Sequence, residues 1–208
     1  MANQLHLPAA VQIRIHGRGG QGVVSAAEML ATAAFLEGRY AQAFPSFGSE
    51  RMGAPVVAFC RIDDRPIRLR EPVTRPDALI IQDPTLLYQV NVFEGLDAAG
   101  YVLINSARSL DELGVESFLE DFGPARAFTV PATELARRYV GRPLPNSTLL
   151  GGFAAMTGAL KLESVLAAIR TKFPGKVGAA NAEAAQAAYE LVASKTAKPE
   201  REDHVEAN

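Results

Sequence analysis

The chain has 208 residues, 48% of them hydrophobic and 21% charged, with a net charge of −2. That length fits one globular domain that buries a core without a metal or disulfide staple, and a single cysteine, Cys60, excludes an internal disulfide and any all-cysteine iron–sulfur or metal site within the chain. A pI near 6.0 sets nucleic-acid carriage aside, no apolar run approaches the roughly 20 residues of a membrane span, and residues 1–10 lack the features of a secretory signal, so a cytoplasmic protein is expected.

In chain order, residues 11–16 (VQIRIH) alternate apolar and polar and run into Gly17-Arg18-Gly19-Gly20-Gln21-Gly22, a strand entering a glycine-rich turn. Residues 23–35 (VVSAAEMLATAAF) carry Glu28 as their only charge and read as a helix buried over most of its circumference, stopping at Gly38. Residues 40–47 allow at most a strand and a loop. Residues 55–62 (PVVAFCRI) are a strong strand signal, Asp63-Asp64-Arg65-Pro66 is turn chemistry, and residues 67–69 are expected as the second arm of a hairpin. Short apolar runs at 78–82, 101–105 and 125–130 predict buried strands, with helices over 86–93 and 132–139 between and after them. Three helices follow, at 147–159, 162–171 and 179–195. The expected organisation is an extension over 1–10, an α/β domain over 11–194 and a charged tail over 195–208, disordered or ordered by a partner. The fold class is α/β: a three-layer, mostly parallel Rossmann-like sheet with a β-hairpin element and a helical C-terminal third.

Gly17, Gly19 and Gly22 satisfy G-x-G-x-x-G between a strand and a helix. Free backbone N–H groups at such a helix start suit an anion, and Arg18 is a phosphate candidate. The acidic residue that binds a ribose is missing from its place, since Glu37 precedes the second strand and positions 43–45 hold Ala, Phe and Pro. An independent NAD- or flavin-binding protein thus loses its second element, and a ligand-free tight turn stands beside the phosphate reading. Gln21 is open to an interface role. Seven Arg between positions 39 and 75 (39, 51, 61, 65, 68, 70 and 75) read either as a solvated face or as a phosphate or subunit contact. His6, His16 and His204 are scattered, His16 closing a strand. Cys60 is a core residue, and Ser25 lacks the elbow motif of a hydrolase. No catalytic site stands out.

Three segments, IRIHGRGGQGVV at 13–24, FPSFGSERMGAPVVAFCRI at 44–62 and NSTLLGGF at 146–153, together resemble the gamma subunit of 2-oxoacid:acceptor oxidoreductases of the pyruvate or 2-ketoisovalerate ferredoxin type, over roughly residues 11–193. Asn181 and Tyr189 fit the same ending. The resemblance implies a non-catalytic chain of a multi-subunit enzyme that decarboxylates a 2-oxoacid, acylates coenzyme A and passes two electrons to ferredoxin or an NAD-reducing flavoprotein subunit. It implies thiamine diphosphate with Mg2+ at the alpha and beta subunits, and iron–sulfur clusters in the beta and ferredoxin-like delta subunits. Carried onto this chain, Gly17, Arg18, Gly19, Gly20, Gln21 and Gly22 would face the nucleotide part of coenzyme A or a neighbouring subunit. Glu50 and Arg51 would anchor an interface, and Asn146 would cap a helix. Ser46 and Ser49 stand where the pyruvate-type pattern has Glu and Pro, which leaves pyruvate, 2-ketoisovalerate and phenylglyoxylate open as substrates.

Overall fold

A computed structural model describes residues 10–46, 52–119 and 126–196. The sheet has six strands: β1 (Val11–Arg18), β2 (Tyr40–Pro45), β3 (Pro55–Asp63), β4 (Ala78–Ile81), β5 (Tyr101–Asn105) and β6 (Ala127–Val130). Their order is β2-β3-β1-β4-β5-β6. β1, β4, β5 and β6 run parallel, while β3 is antiparallel to both β1 and β2. The hairpin element is therefore β2 with β3. Residues 67–69 pair with no strand among the described residues, because both edges of β3 are already taken.

One face of the sheet is covered by helices. Val11, Ile13 and Ile15 of β1 and Ala58, Cys60 and Ile62 of β3 point into a core shared with α1 (Val23–Leu36), α4 (Asn146–Thr157), α5 (Leu162–Lys172) and α6 (Gly175–Thr196). The run of Ala in α1 and α6 combines high helix propensity with small bulk, which allows close approach. α1 ends in a left-handed Gly38 whose N–H meets the Phe35 carbonyl while Arg39 N–H meets that of Ala34, closing the helix end. α4 crosses α6 so tightly that a Cβ on Gly151 would lie 1.8 Å from the Ala185 carbonyl oxygen. Beside that crossing the Ser147 hydroxyl donates to Asn181 Oδ1 at 2.6 Å.

The other face is covered more thinly. Leu79, Ile81, Val102 and Ile104 pack under a 3-10 turn (Pro84–Tyr88), irregular chain carrying Val92, Leu113 and Val115, and the short α2 (Glu116–Leu119); α3 (Ala132–Val140) follows β6. The helix expected over 86–93 is only that turn. Val90, Asn91 and Val92 are poor helix formers, and the carbonyls of Val92 and Glu94 are held instead by Arg14 Nη2 at 2.9 and 2.6 Å. Asn146 is likewise no cap: it lies inside α4, after Pro145, and makes no capping hydrogen bond. The expected tail lies outside the described residues beyond Thr196.

Candidate anion-binding turn

β1 leads through α1 to one side of the sheet, whereas β4 leads to β5 on the other, so the carboxyl ends of β1 and β4 form the topological switch point where open α/β sheets bind ligands. The Gly17–Gly22 turn and Gln82–Asp83 meet there. Gly17 ends the close approach of strand and helix: a Cβ on it would lie 2.6 Å from Val23 Cγ2 and 3.3 Å from Gln82 Cβ. Gly22 sits at φ 72°, a conformation open to glycine, and a Cβ there would meet the Asn146 amide nitrogen at 2.4 Å. The same amide reaches the Gly22 carbonyl at 3.4 Å, so α4 abuts the turn.

The turn is held from below by Asp83. Its Oδ2 accepts from Arg18 Nε and Gln21 Nε2, each at 3.0 Å, and its Oδ1 accepts from the Thr85 N–H at 3.0 Å and the Thr85 hydroxyl at 2.5 Å. Burial alone would raise this carboxyl, but the hydrogen bonds from Thr85 and Gln21 and then the Arg18 charge outweigh it and hold it below its ordinary value. Gln21 also accepts the Arg18 N–H at 2.8 Å, stitching the turn across its mouth. Arg18 spends its remaining nitrogens on the Gly53 carbonyl, Thr85 Oγ1 and Gln89 Oε1 at 3.1, 2.7 and 2.8 Å. Asp83, Thr85 and Gln89 were not singled out from the sequence. The signal was there in Asp83-Pro84, an N-cap residue followed by a proline suited to a helix start.

What the turn leaves open is the start of α1. The first intrahelical bond is Ala26 N–H to the Gly22 carbonyl, and no side chain caps the helix. The N–H groups of Val23, Val24 and Ser25 find no acceptor among the described residues. They border a cleft of about 310 Å³ whose rim includes Arg18, Gly20, Gly22, Ser25 and Val56. Free N–H groups, the positive end of a helix dipole and a guanidinium on one rim suit an anion. Gly19 contributes no free donor, since its N–H is bonded to the Ala54 carbonyl at 2.9 Å.

Elsewhere the chemistry is structural. Cys60 is fully buried and burial pushes its thiol up to about 12, so it is no ligand for a cluster. His16 does not close its strand, which runs on to Arg18. It lies under Arg14, whose Nε donates to His16 Nε2 at 3.0 Å; burial and then the Arg14 charge push its pKa down to about 3, so it is a neutral ring protonated on Nδ1. Among the described residues no group of His, Cys, Asp and Glu is arranged to hold a metal ion, and no described helix is long and apolar enough to cross a membrane. Among the described residues the donor set does not fit an iron–sulfur cluster or a Mg2+ site. Glu50, Arg51, His6 and His204 lie outside the described residues.

An open α/β sheet with a glycine-rich turn at its switch point and an uncapped helix start above a cleft defines a domain of the doubly wound α/β class. The comparisons say which. Residues 12–191 match the pyruvate ferredoxin/flavodoxin oxidoreductase family, and the chain belongs to that family, as a gamma-type oxidoreductase subunit. It is 48% identical over 180 residues to the pyruvate/ketoisovalerate oxidoreductases common subunit gamma of Thermococcus litoralis, covering 86% of this chain and 96% of that one. It is also 48% identical over 182 residues to the pyruvate synthase subunit PorC of Methanothermobacter thermautotrophicus, covering 88% and 96%. The crystal structure of the pyruvate oxidoreductase subunit PORC of Thermotoga maritima superposes with a TM-score of 0.73 at 37% identity, over 87% of this chain and 96% of that one.

Proposed function

We propose that this chain is the gamma subunit of a thiamine-dependent, cytoplasmic 2-oxoacid oxidoreductase in which a 2-oxoacid and coenzyme A give acyl-CoA, carbon dioxide, two electrons and a proton. The reaction class rests on the family, and the names of the relatives favour pyruvate or 2-ketoisovalerate over an aromatic 2-oxoacid. Thiamine diphosphate with Mg2+ and the iron–sulfur clusters belong to companion alpha, beta and delta subunits; thiamine diphosphate bound there supplies the electron sink for decarboxylation. Ferredoxin or an NAD-reducing flavoprotein subunit takes the electrons. Glu50 and Arg51 fall at the subunit interface in this reading.

This chain's own part is to present the Gly17–Gly22 turn to the phosphates of coenzyme A. The observation that carries it is the trio of unpaired N–H groups at Val23, Val24 and Ser25, opening on the cleft. Arg18 adds positive charge at the rim while its hydrogen bonds stay inside the protein. Ser25→Glu tests this in the assembled complex. A carboxylate in the first turn favours the helix dipole, so the fold keeps its stability, but it occupies the anion's place. We expect the KM for coenzyme A to rise about tenfold, equivalent to ~1.4 kcal/mol of binding, with the KM for the 2-oxoacid unchanged. An unaltered coenzyme A KM would leave the turn as an interface element only. Tight, stoichiometric binding of NAD or a flavin by the isolated chain would favour an independent nucleotide-binding protein instead.

A further inference from the structure

The Arg-rich stretch of the sequence is not absorbed by the turn. After β3 the chain runs over residues 64–75 without regular secondary structure. It is pinned at its far end: Val73 is buried, the Pro72 carbonyl accepts from Arg61 Nη2 at 3.4 Å, and the Arg75 carbonyl accepts from Gln12 Nε2 at 3.4 Å. Between the turn and that anchor, Arg65, Arg68 and Arg70 stand exposed, with Arg75 beyond. Among the described residues none of the four guanidinium groups has an ion-pair partner, and the backbone groups of residues 67–71 make no hydrogen bond. Of the acids in the stretch, Asp64 is taken by Arg39 at 2.8 Å, which leaves Glu71 against four Arg in a chain whose net charge is −2.

Two further features separate this strap from an ordinary solvated face. Leu69 is 59% exposed between Arg68 and Arg70, so apolar and cationic groups alternate along a strand-like sequence that has no strand partner among the described residues. Beneath it, Arg61 is 7% exposed, and its Nη1 is buried with no hydrogen-bond partner. The Arg61 charge lies below the strap and adds to its positive field. Pro66, Pro72 and Pro76 restrict the strap to extended conformations before any partner arrives, which lowers the entropy lost on docking.

We propose that residues 65–71 are the docking strap for an acidic surface of a companion subunit, whose carboxylates pair with Arg65, Arg68 and Arg70 while an apolar spot receives Leu69. Planar guanidinium groups around a small apolar centre are the composition of protein interfaces. The proposal rests on the chain being a subunit of a larger enzyme, and the experiment separates the two readings. The full chain, co-expressed with its companion subunits, is compared with R68E/R70E and with a charge-matched pair remote from the strap in sequence, R142E/K176E. The wild-type complex should hold together at physiological salt and lose this subunit as KCl rises, because such pairing is screened. R68E/R70E should weaken its association at least about tenfold, and the remote pair should leave it unchanged. Both isolated variants should melt with the wild type, since the strap arginines form no ion pair among the described residues. Trypsin should cut after Arg68 and Arg70 in the isolated chain and be excluded in the complex. Undiminished assembly of R68E/R70E overturns the proposal, as does equal loss in both pairs, tryptic cleavage of the strap inside the complex, or a self-dimer of the isolated chain that R68E/R70E splits. A wild-type chain that joins no complex overturns the subunit reading along with it.

Discussion

The two faces of the sheet are held by different physics. The helical face is hydrophobic packing at close range: Ile13, Ile15, Ala58 and Cys60 meet the Ala-rich α1, and α4 is pressed onto α6 through Gly151. On the opposite face, the same strands β1 and β3 present Gln12, Arg14, His16, Phe59 and Arg61 in register. There the covering chain is fastened by a long side chain that reaches its backbone, Arg14 to the Val92 and Glu94 carbonyls. Packing of the first kind is cooperative and spreads strain widely. Hydrogen-bonded straps of the second kind open locally, and such local openings belong to the segments that move or bind. The Gly17–Gly22 turn lies where the two faces meet.

The sharpest way to break this contrast is at Gly151. Gly151→Ala places a methyl carbon 1.8 Å from a backbone oxygen of α6, so the helices must part, and the loss is expected to be about 3 kcal/mol or more, read as a fall in the global melting transition. On the other face Arg14→Leu removes the clamp on residues 92 and 94 and the donor to His16. We expect a loss of about 2 kcal/mol, with hydrogen exchange rising over residues 84–115 while α1, α4 and α6 stay protected. If Arg14→Leu instead accelerates exchange uniformly in both layers, the faces are one cooperative unit and the contrast fails.

The same contrast explains what could be foreseen. Alternation in VQIRIH, the uninterrupted ALII and YVLI runs and the Ala-rich helices are local records of burial, so the strands and the helical third were legible, and Gly17–Gly22 announced the turn by its glycines. What was not legible depends on contacts far apart in sequence. Arg14 buried against residues 92 and 94, Asp83 under Arg18 and Gln21, and Asn146 turned toward Gly22 instead of capping α4 are all long-range pairs of polar groups. Residues 67–69 have the pattern of a hairpin arm, yet pattern alone could not show that β2 already occupies the edge of β3.

The smallest of the effects bears on how the turn itself is held. Asp83 offers two carboxylate oxygens to donors on both sides: Arg18 and Gln21 on Oδ2, the Thr85 N–H and hydroxyl on Oδ1. An asparagine has the same shape and only one oxygen, so in Asp83→Asn an NH2 faces donors on one side in either orientation. The group is partly exposed and solvent can relieve the clash, so a loss of about 1 kcal/mol is expected near neutral pH. The pH dependence distinguishes lost charge from lost shape. The folded-state pKa of Asp83 is lowered, so its contribution is fully present above the unfolded value near 3.8 and is lost as pH falls through the folded one. The gap in stability between wild type and Asp83→Asn should therefore stay constant from neutral pH to about pH 4 and narrow below that. Denaturant melts at a series of pH values measure it directly, and a gap that persists undiminished in strong acid would show that Asp83 holds the turn by shape alone.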